Sequence, residues 1–162
     1  MKSATATIEM QTPEQHRERL HDLVTAVRTV LVMSRGRGRG GERIVAQPMA
    51  LVRTTDDTTM HVATLLEARQ VAELARDPRV TVVVQGLDCA VFDAEARISR
   101  DRRLVDGLAG EWWKSWWRDM PDRSVSILVI SPIAGSYWDG PHRYAYQYRL
   151  APRAAKGVPV RF

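Results

Sequence analysis

The stretch that decides the fold runs from residue 43 to residue 80 and reads RIVAQPMALVRTTDDTTMHVATLLEARQVAELARDPRV. Its apolar, β-branched runs are separated by turn residues, and a run of helix formers stops at Asp77-Pro78. The pattern predicts a hairpin of two strands, a short helix and a returning strand, over residues 44–52, 60–64, 67–76 and 80–84. Backbone N–H groups at a helix start attract anions, and strand ends offer backbone partners to a flat ring, so the stretch predicts a ligand site.

Short motifs follow one another in a fixed order through this stretch and beyond it. The first are Gln-Pro-Met, the hairpin, Ala-Thr, Ala-Arg-Gln-Val-Ala-Glu-Leu and Asp-Pro-Arg-Val. Later come the tryptophans of 112–117, Pro121-Asp122, Ser131-Pro132 and Ser136-Tyr137-Trp138-Asp139. This order resembles the flavin-binding split-barrel superfamily of pyridoxamine 5′-phosphate oxidases, in its short general stress protein branch. The resemblance covers roughly residues 15 to 140, and the order is more specific than any single motif.

The resemblance implies a mainly β fold with flanking helices, built as a six-stranded split barrel. It also implies a homodimer with two FMN sites at the subunit interface and a flavin-dependent oxidoreductase activity on a small molecule. The flavin ring would lie along the strand that holds Gln-Pro-Met, and its phosphate would meet the start of the following helix. The site residues it implies are Gln47, Pro48, Met49, Thr64, Ala68, Arg69, Gln70, Trp116 and Trp138, the last two near the partner's site.

The sequence departs from the family pattern where the charge of the phosphate would lie. The family's motif arginine is Gln47 here, its helix-start serine is Ala68 and its lysine is Gln70, so only Arg69 keeps its charge. Two lost charged hydrogen bonds correspond to roughly 3–6 kcal/mol of binding free energy. Two alternatives follow: FMN bound through a weakened phosphate site, or a repurposed barrel that binds another ligand or nucleic acid.

Composition bounds the class of protein. A chain of 162 residues suits one domain, which we place at residues 1–150, followed by a basic tail at 151–162. The net charge of +5 is matched by the five cations after Asp139, where no acid remains, and three of them lie in the tail. Such a tail is solvated or meets an anionic surface. No apolar run has membrane-spanning length and no signal-type core follows Met1, so we expect a cytoplasmic protein without membrane contact.

Few residues suggest chemistry of their own. Cys89 is the only cysteine, which excludes an internal disulfide and a cysteine-cluster zinc site, and we expect it to be buried and inert. His16 and His21 are five apart on a predicted helix, the wrong spacing for a shared metal, and we expect both at the surface. Phosphate-loop, dinucleotide and metalloprotease motifs are absent from the sequence. The functional prediction therefore depends on the resemblance.

Three further segments carry structural predictions. The Arg-Gly segment at residues 34–41 has three interpretations. It resembles segments that bind single-stranded RNA, and it could act as a cationic flap over an anion. The third interpretation, a glycine-rich hairpin loop, is the one that we favour. The pattern of residues 101–117 predicts a helix that contains four tryptophans. These tryptophans either pack in the core and in a dimer contact, or form the wall of a ligand site. A strand at 124–131, a bend at 132–135 and an edge strand with a tyrosine row at 144–148 complete the sheet.

Overall fold

A computed structural model describes residues 12–65, 67–99, 101–107, 125–139 and 144–149. The helices are α1 Pro13–Thr25, α2 Ala68–Arg76 and α3 Arg102–Gly107. The strands are β1 Thr29–Gly38, β2 Gly41–Thr54, β3 Met60–Leu65, β4 Arg79–Gln85, β5 Cys89–Ser99, β6 Val125–Asp139 and β7 Tyr144–Arg149. The mainly β class with flanking helices is therefore confirmed.

The strands form one sheet in the order β3-β2-β1-β4-β5-β6-β7, and every neighbouring pair is antiparallel. A further pairing joins β3 to the first half of β6, from Met60↔Ile130 to Leu65↔Val125. This pairing closes the first six strands into a ring, while β7 is added to the second half of β6. The predicted six-stranded barrel is confirmed, and the seventh strand lies beside it.

The core fills the interior of the ring, because alternate residues of each strand point inward. Helix α1 covers one end of the barrel with the fully buried Leu20 and Val24. Its start follows from the local sequence, since Thr12 and Gln15 form a capping box around Pro13 at the first helical position. The largest buried side chains of the interior are Phe92, Tyr137, Met60, Leu128, Ile130, Val30, Val62 and Val82.

The barrel is split beside β2. Strand β2 pairs with β1 from Gly41 to Ala50. Its pairing with β3 begins only at Ala50↔Ala63. Within the described part of the chain, no strand pairs with the other edge of β2 before Ala50. The start of α2 lies next to this segment, because the side chain of Gln70 reaches Gln47. An open strand edge and a helix start are thus neighbours, whereas the sequence predicted a helix start beside the end of a strand.

The Arg-Gly segment is not the loop that we expected. Strand β1 continues through it to Gly38, and pairs such as Arg35↔Ile44 and Arg37↔Glu42 extend the hairpin to a short turn at residues 39–40. The glycine at position 36 allows neighbouring side chains to pack closely against the strand. A Cβ on Gly36 would lie 2.9 Å from both Glu73 Oε2 and Val45 Cγ2, so a larger residue here would displace one of these side chains.

The bend predicted at residues 132–135 does not interrupt the strand, and an irregularity of strand pairing lies there instead. Strand β6 runs without interruption from Val125 to Asp139, and its register against β5 shifts by one residue between Asp93 and Ala94. This irregularity accommodates Pro132 opposite Ala94 without ending the strand. β6 can therefore pair with β3 in its first half and with β7 in its second.

Two side chains differ in burial from our expectation. His16 is only 6% exposed, and its Nδ1 lies 2.6 Å from the hydroxyl oxygen of Tyr137, which is 1% exposed. The helix places His16 against the barrel because it is four residues before Leu20, on the same face of α1. Cys89 is partly exposed rather than buried, since it is the first residue of β5.

Several predictions fall outside the described residues. They include Trp116 and the rest of the tryptophan-rich segment, of which the structure describes a helix only over Arg102–Gly107, and the tail at 151–162. No helix within the described ranges is long and apolar enough to cross a membrane.

Candidate functional site

The site is centred on two glutamines that lie on different elements. Gln47 is in β2 opposite Val32 of β1, and Gln70 is in the first turn of α2. The side-chain Nε2 of Gln70 donates a hydrogen bond to Oε1 of Gln47 over 2.9 Å, and both side chains are partly buried. The two positions at which the resemblance places cations are therefore brought together, and they bind each other.

Gln70 also caps its own helix. Its Oε1 accepts a hydrogen bond of 3.0 Å from the backbone N–H of Glu67, the residue before α2. A glutamine at the third helical position commonly satisfies this otherwise unpaired donor. Both ends of the Gln70 amide are thus engaged within the protein, one holding the helix start and the other holding β2.

Arg69 keeps its charge but is paired inside the chain. Its Nε donates to Oε1 of Glu73 over 2.9 Å, one helical turn further on. The same carboxylate oxygen accepts the backbone N–H of Arg37 over 3.0 Å. These contacts lower the pKa of Glu73, chiefly through the Arg37 backbone bond and next through Arg69. Glu73 therefore stays ionised and holds Arg69 over the second turn of the helix.

The space beneath the glutamine pair is small. A cavity of about 10 Å³ lies between the barrel end and α2, lined by Gln47, Gln70, Met49, Leu74, Val32, Ser34, Val45 and Leu128. About this volume is the minimum that one water molecule needs. A ligand cannot enter here, so the surface available to one is the open edge of β2 and the helix start.

The remaining predicted site residues differ in how deeply they are buried. Pro48 is exposed on β2 and Met49 is buried beside it. Thr64 is only 2% exposed near the end of β3, and it does not line the cavity between the glutamines. Ala68 begins α2. Trp138 is 46% exposed in the second half of β6, paired with Cys89, and does not line this cavity.

The residues present fit the two ends of FMN differently. The open edge of β2 offers backbone groups to a flat ring, and strand edges commonly serve as hydrogen-bonding templates. The phosphate end does not fit, because Gln47 and Gln70 carry no charge and Arg69 is paired with Glu73. The described ranges contain no cluster of three or more side chains that could hold a metal ion.

Sequence reasoning missed the role of Glu73. The spacing of Arg69 and Glu73, four residues apart on a helix, would have predicted their pairing. The backbone bond from Arg37 has no local signal, because its two partners are 36 residues apart.

The fold matches solved structures. A protein of Clostridium acetobutylicum related to general stress protein 26 of Bacillus subtilis is 16% identical, with a TM-score of 0.69 over 84% of this chain and 95% of that one. General stress protein 26 of Bacillus anthracis is 19% identical, with a TM-score of 0.55 over 74% of this chain and 93% of that one. A heme-binding protein of Mycobacterium smegmatis is 12% identical, with a TM-score of 0.59 over 83% of this chain and 57% of that one.

The sequence itself matches a family model. Among curated proteins, none matches this chain. The model described as "Pyridoxamine 5'-phosphate oxidase like" matches residues 15–157, which is most of the chain. The match includes the hairpin, α2 and the closing strand β6, the elements that form the split barrel and its open edge. This chain therefore belongs to the pyridoxamine 5′-phosphate oxidase-like family.

Proposed function

We propose that this protein binds a flavin through its ring, along the open edge of β2, with little contribution from the phosphate. The observation that carries the proposal is the contrast between the edge of β2 before Ala50, which no described strand pairs, and the uncharged glutamine pair. The family match supports the choice of flavin. The activity we propose is flavin-dependent oxidoreductase chemistry, in which the flavin would pass electrons to or from a small molecule and the protein would supply position.

The decisive experiment compares two flavins that differ only in the phosphate. FMN and riboflavin are titrated against the purified protein, with quenching of flavin fluorescence as the signal. We expect dissociation constants within about threefold of each other, because no unpaired cation of the helix start meets the phosphate. FMN binding that is a hundredfold tighter than riboflavin binding would show that a cation reaches the phosphate. Failure of both to bind would overturn the flavin proposal.

A second candidate is a repurposed barrel that holds another flat ligand at the same edge. The uncharged glutamine pair favours it, because a ligand without a phosphate loses nothing at this helix start. A heme-binding protein of Mycobacterium smegmatis shares the fold. The absorbance spectrum of freshly purified protein separates the candidates, since a flavin absorbs near 450 nm and a heme gives a Soret band.

We also propose a homodimer, formed through an apolar patch on the outer face of the sheet. Ile44 is 75% exposed and Ile133 is 43% exposed, and with Met33 they line a shallow cleft of about 360 Å³. Exposed apolar side chains that cluster in this way mark protein contact surfaces. Sedimentation velocity tests the proposal, and an 18.3 kDa monomer at micromolar concentration would overturn it.

A further inference from the structure

A second cleft, which the proposed flavin site does not use, lies where the β1–β2 hairpin, the end of α2 and the start of β4 meet. Its volume is about 440 Å³, and its lining residues are Arg35, Gly36, Arg37, Glu42, Glu73, Arg76, Asp77 and Arg79. We call it the arginine cleft. Gln70 and the start of α2 are not part of its lining, so it is separate from the glutamine pair.

The cleft exists because β1 is longer than its neighbour. Pairing between β1 and β4 ends at Ser34↔Val80, while β1 continues to Gly38. In the described part of the chain, the edge of β1 beyond Ser34 faces no strand on this side. Glu73 of α2 occupies part of the gap and accepts the Arg37 backbone N–H. The Arg-Gly segment is thereby held as an ordered wall rather than a loose flap.

Two of the three carboxylates of the cleft are already neutralised. Asp77 accepts two hydrogen bonds of 2.7 Å from the Arg79 guanidinium, which lower its pKa to about 2. Glu73 is held by Arg69 and by the Arg37 backbone. Glu42 is the third, and it is exposed on the hairpin.

The guanidinium groups are in excess. Arg35, Arg37 and Arg76 form no salt bridge within the described ranges of the chain. Arg39 and Arg43 lie on the same hairpin and add two more cations close to the cleft. An excess of arginine over carboxylate in a concave site attracts anions and raises their local concentration.

We propose that the arginine cleft binds the phosphoryl chain of an oligophosphate, with Arg37 and Arg76 as its principal ligands and Arg35 beside them. Guanidinium groups bind phosphate oxygens through two parallel hydrogen bonds, which lysine cannot offer. The cleft has the size of small-ligand sites, which span about 300–1,000 Å³. A free oligophosphate or nucleotide and the backbone of a nucleic acid carry the same chemistry, and the experiment separates the two sources.

The test measures binding of inorganic triphosphate by calorimetry at low salt. The cleft variant is Arg37→Gln with Arg76→Gln. Arg35 and Arg79 are left unchanged, because they also line the cleft of Ile44 and Ile133 that we assign to the dimer contact. The matched control is Arg17→Gln with Arg103→Gln, which removes the same charge from exposed positions on α1 and α3. We expect triphosphate binding to weaken at least about tenfold in the cleft variant and to stay within about twofold in the control.

A second arm uses a fluorescent single-stranded RNA and measures its anisotropy with the same three proteins. RNA binding that triphosphate displaces, and that the cleft variant loses, supports the proposal with a nucleic acid as the source of the phosphates. Absence of triphosphate binding to wild type overturns the proposal, as does equal weakening in both variants, which shows only diffuse attraction. Flavin affinity measured on the cleft variant is expected to be unchanged, which keeps this test independent of the proposed function.

Discussion

Gln70 donates a hydrogen bond of 2.9 Å to Gln47 and so ties the first turn of α2 to strand β2. The bond joins the two positions at which the family resemblance expects a lysine and an arginine. This bond holds the helix against β2, and the two amides that make it carry no charge for an anion. The chain has thus exchanged a charged ligand position for an internal contact.

Restoring the two charges should restore the phosphate site. In Gln47→Arg with Gln70→Lys, we expect FMN affinity to rise at least about tenfold, since two charged hydrogen bonds join the N–H groups of the helix start. The gain should be much smaller for riboflavin and should decrease as salt rises. Fluorescence titration of both flavins measures it.

The control for this prediction is Gln47→Met with Gln70→Met, which removes the amide pair without adding charge. It should leave the ratio of FMN to riboflavin affinity unchanged. A charged variant that binds FMN no better than wild type would contradict the prediction. In that case, tight wild-type binding would indicate that another arginine already holds the phosphate, and weak binding would indicate a remodelled edge.

Arg69 should become available when Glu73 loses its charge. In Glu73→Gln, we expect FMN affinity to rise by about threefold or more relative to riboflavin, because the guanidinium is no longer paired along the helix. The gain should vanish in Arg69→Gln with Glu73→Gln, which a double-mutant cycle measures. A gain that survives the loss of Arg69 would show that it arises elsewhere, for example in the arginine cleft.

The buried His16 makes stability depend on pH. Burial lowers its pKa below 6.5, so the unfolded chain binds a proton more readily than the folded one. The contribution of His16 to the free energy of unfolding is therefore fully present above pH 6.5. It is lost as the pH falls towards the pKa of His16 in the folded state. Urea unfolding at several pH values between about 7.5 and 5 should show wild type losing more stability than His16→Gln.

Two features of the chain sharpen this comparison. The pKa of His61 is lowered as well, first by burial and then by Arg53 and Arg97, so some pH dependence should remain in His16→Gln. Tyr137→Phe removes the hydroxyl beside His16 but keeps the titrating group, and it should retain most of the wild-type slope. Parallel pH profiles for wild type and His16→Gln would contradict the prediction.

Gly135 is required by the contact between α1 and the barrel. A Cβ at this position would lie 2.9 Å from Leu20 Cδ1 and 3.2 Å from two ring carbons of Phe92. We expect Gly135→Ala to lower the free energy of unfolding by about 1–3 kcal/mol, as overpacking does elsewhere. Gly107→Ala is the control, because no atom of the described residues lies within 4 Å of its Cβ position. Equal urea midpoints for Gly135→Ala and wild type would contradict this account.

The structural features that were predicted correctly from local patterns are those that residues close together in the sequence determine. The capping residues Thr12 and Gln15 gave the start of α1, and the alternation of Val80, Val82 and Val84 gave the buried face of β4. The order of motifs predicted the barrel, because a family keeps the order of its elements. The residue pattern of 43–80 predicted a helix start beside a strand end, but it did not predict the open edge of β2.

The errors lie where distant residues decide the structure. Gly36 and Gly38 suggested a loop, but Glu73 satisfies the exposed strand edge and makes an extended conformation stable. His16 is buried because Tyr137, 121 residues away, lies beside it. No single sequence window contains both partners of such a contact, so a local pattern cannot predict it.

The pairing of β3 with β6 has a consequence for how the chain folds. Met60 pairs with Ile130, so the ring closes only when two residues 70 positions apart in the sequence meet. The hairpins β1–β2, β2–β3 and β4–β5 need only short loops and can form early. Closure is then the slow event, on the millisecond-to-second timescale of sheets rich in non-local contacts. Until it occurs, β3 and β6 each present a bare apolar edge, and aggregation would begin there.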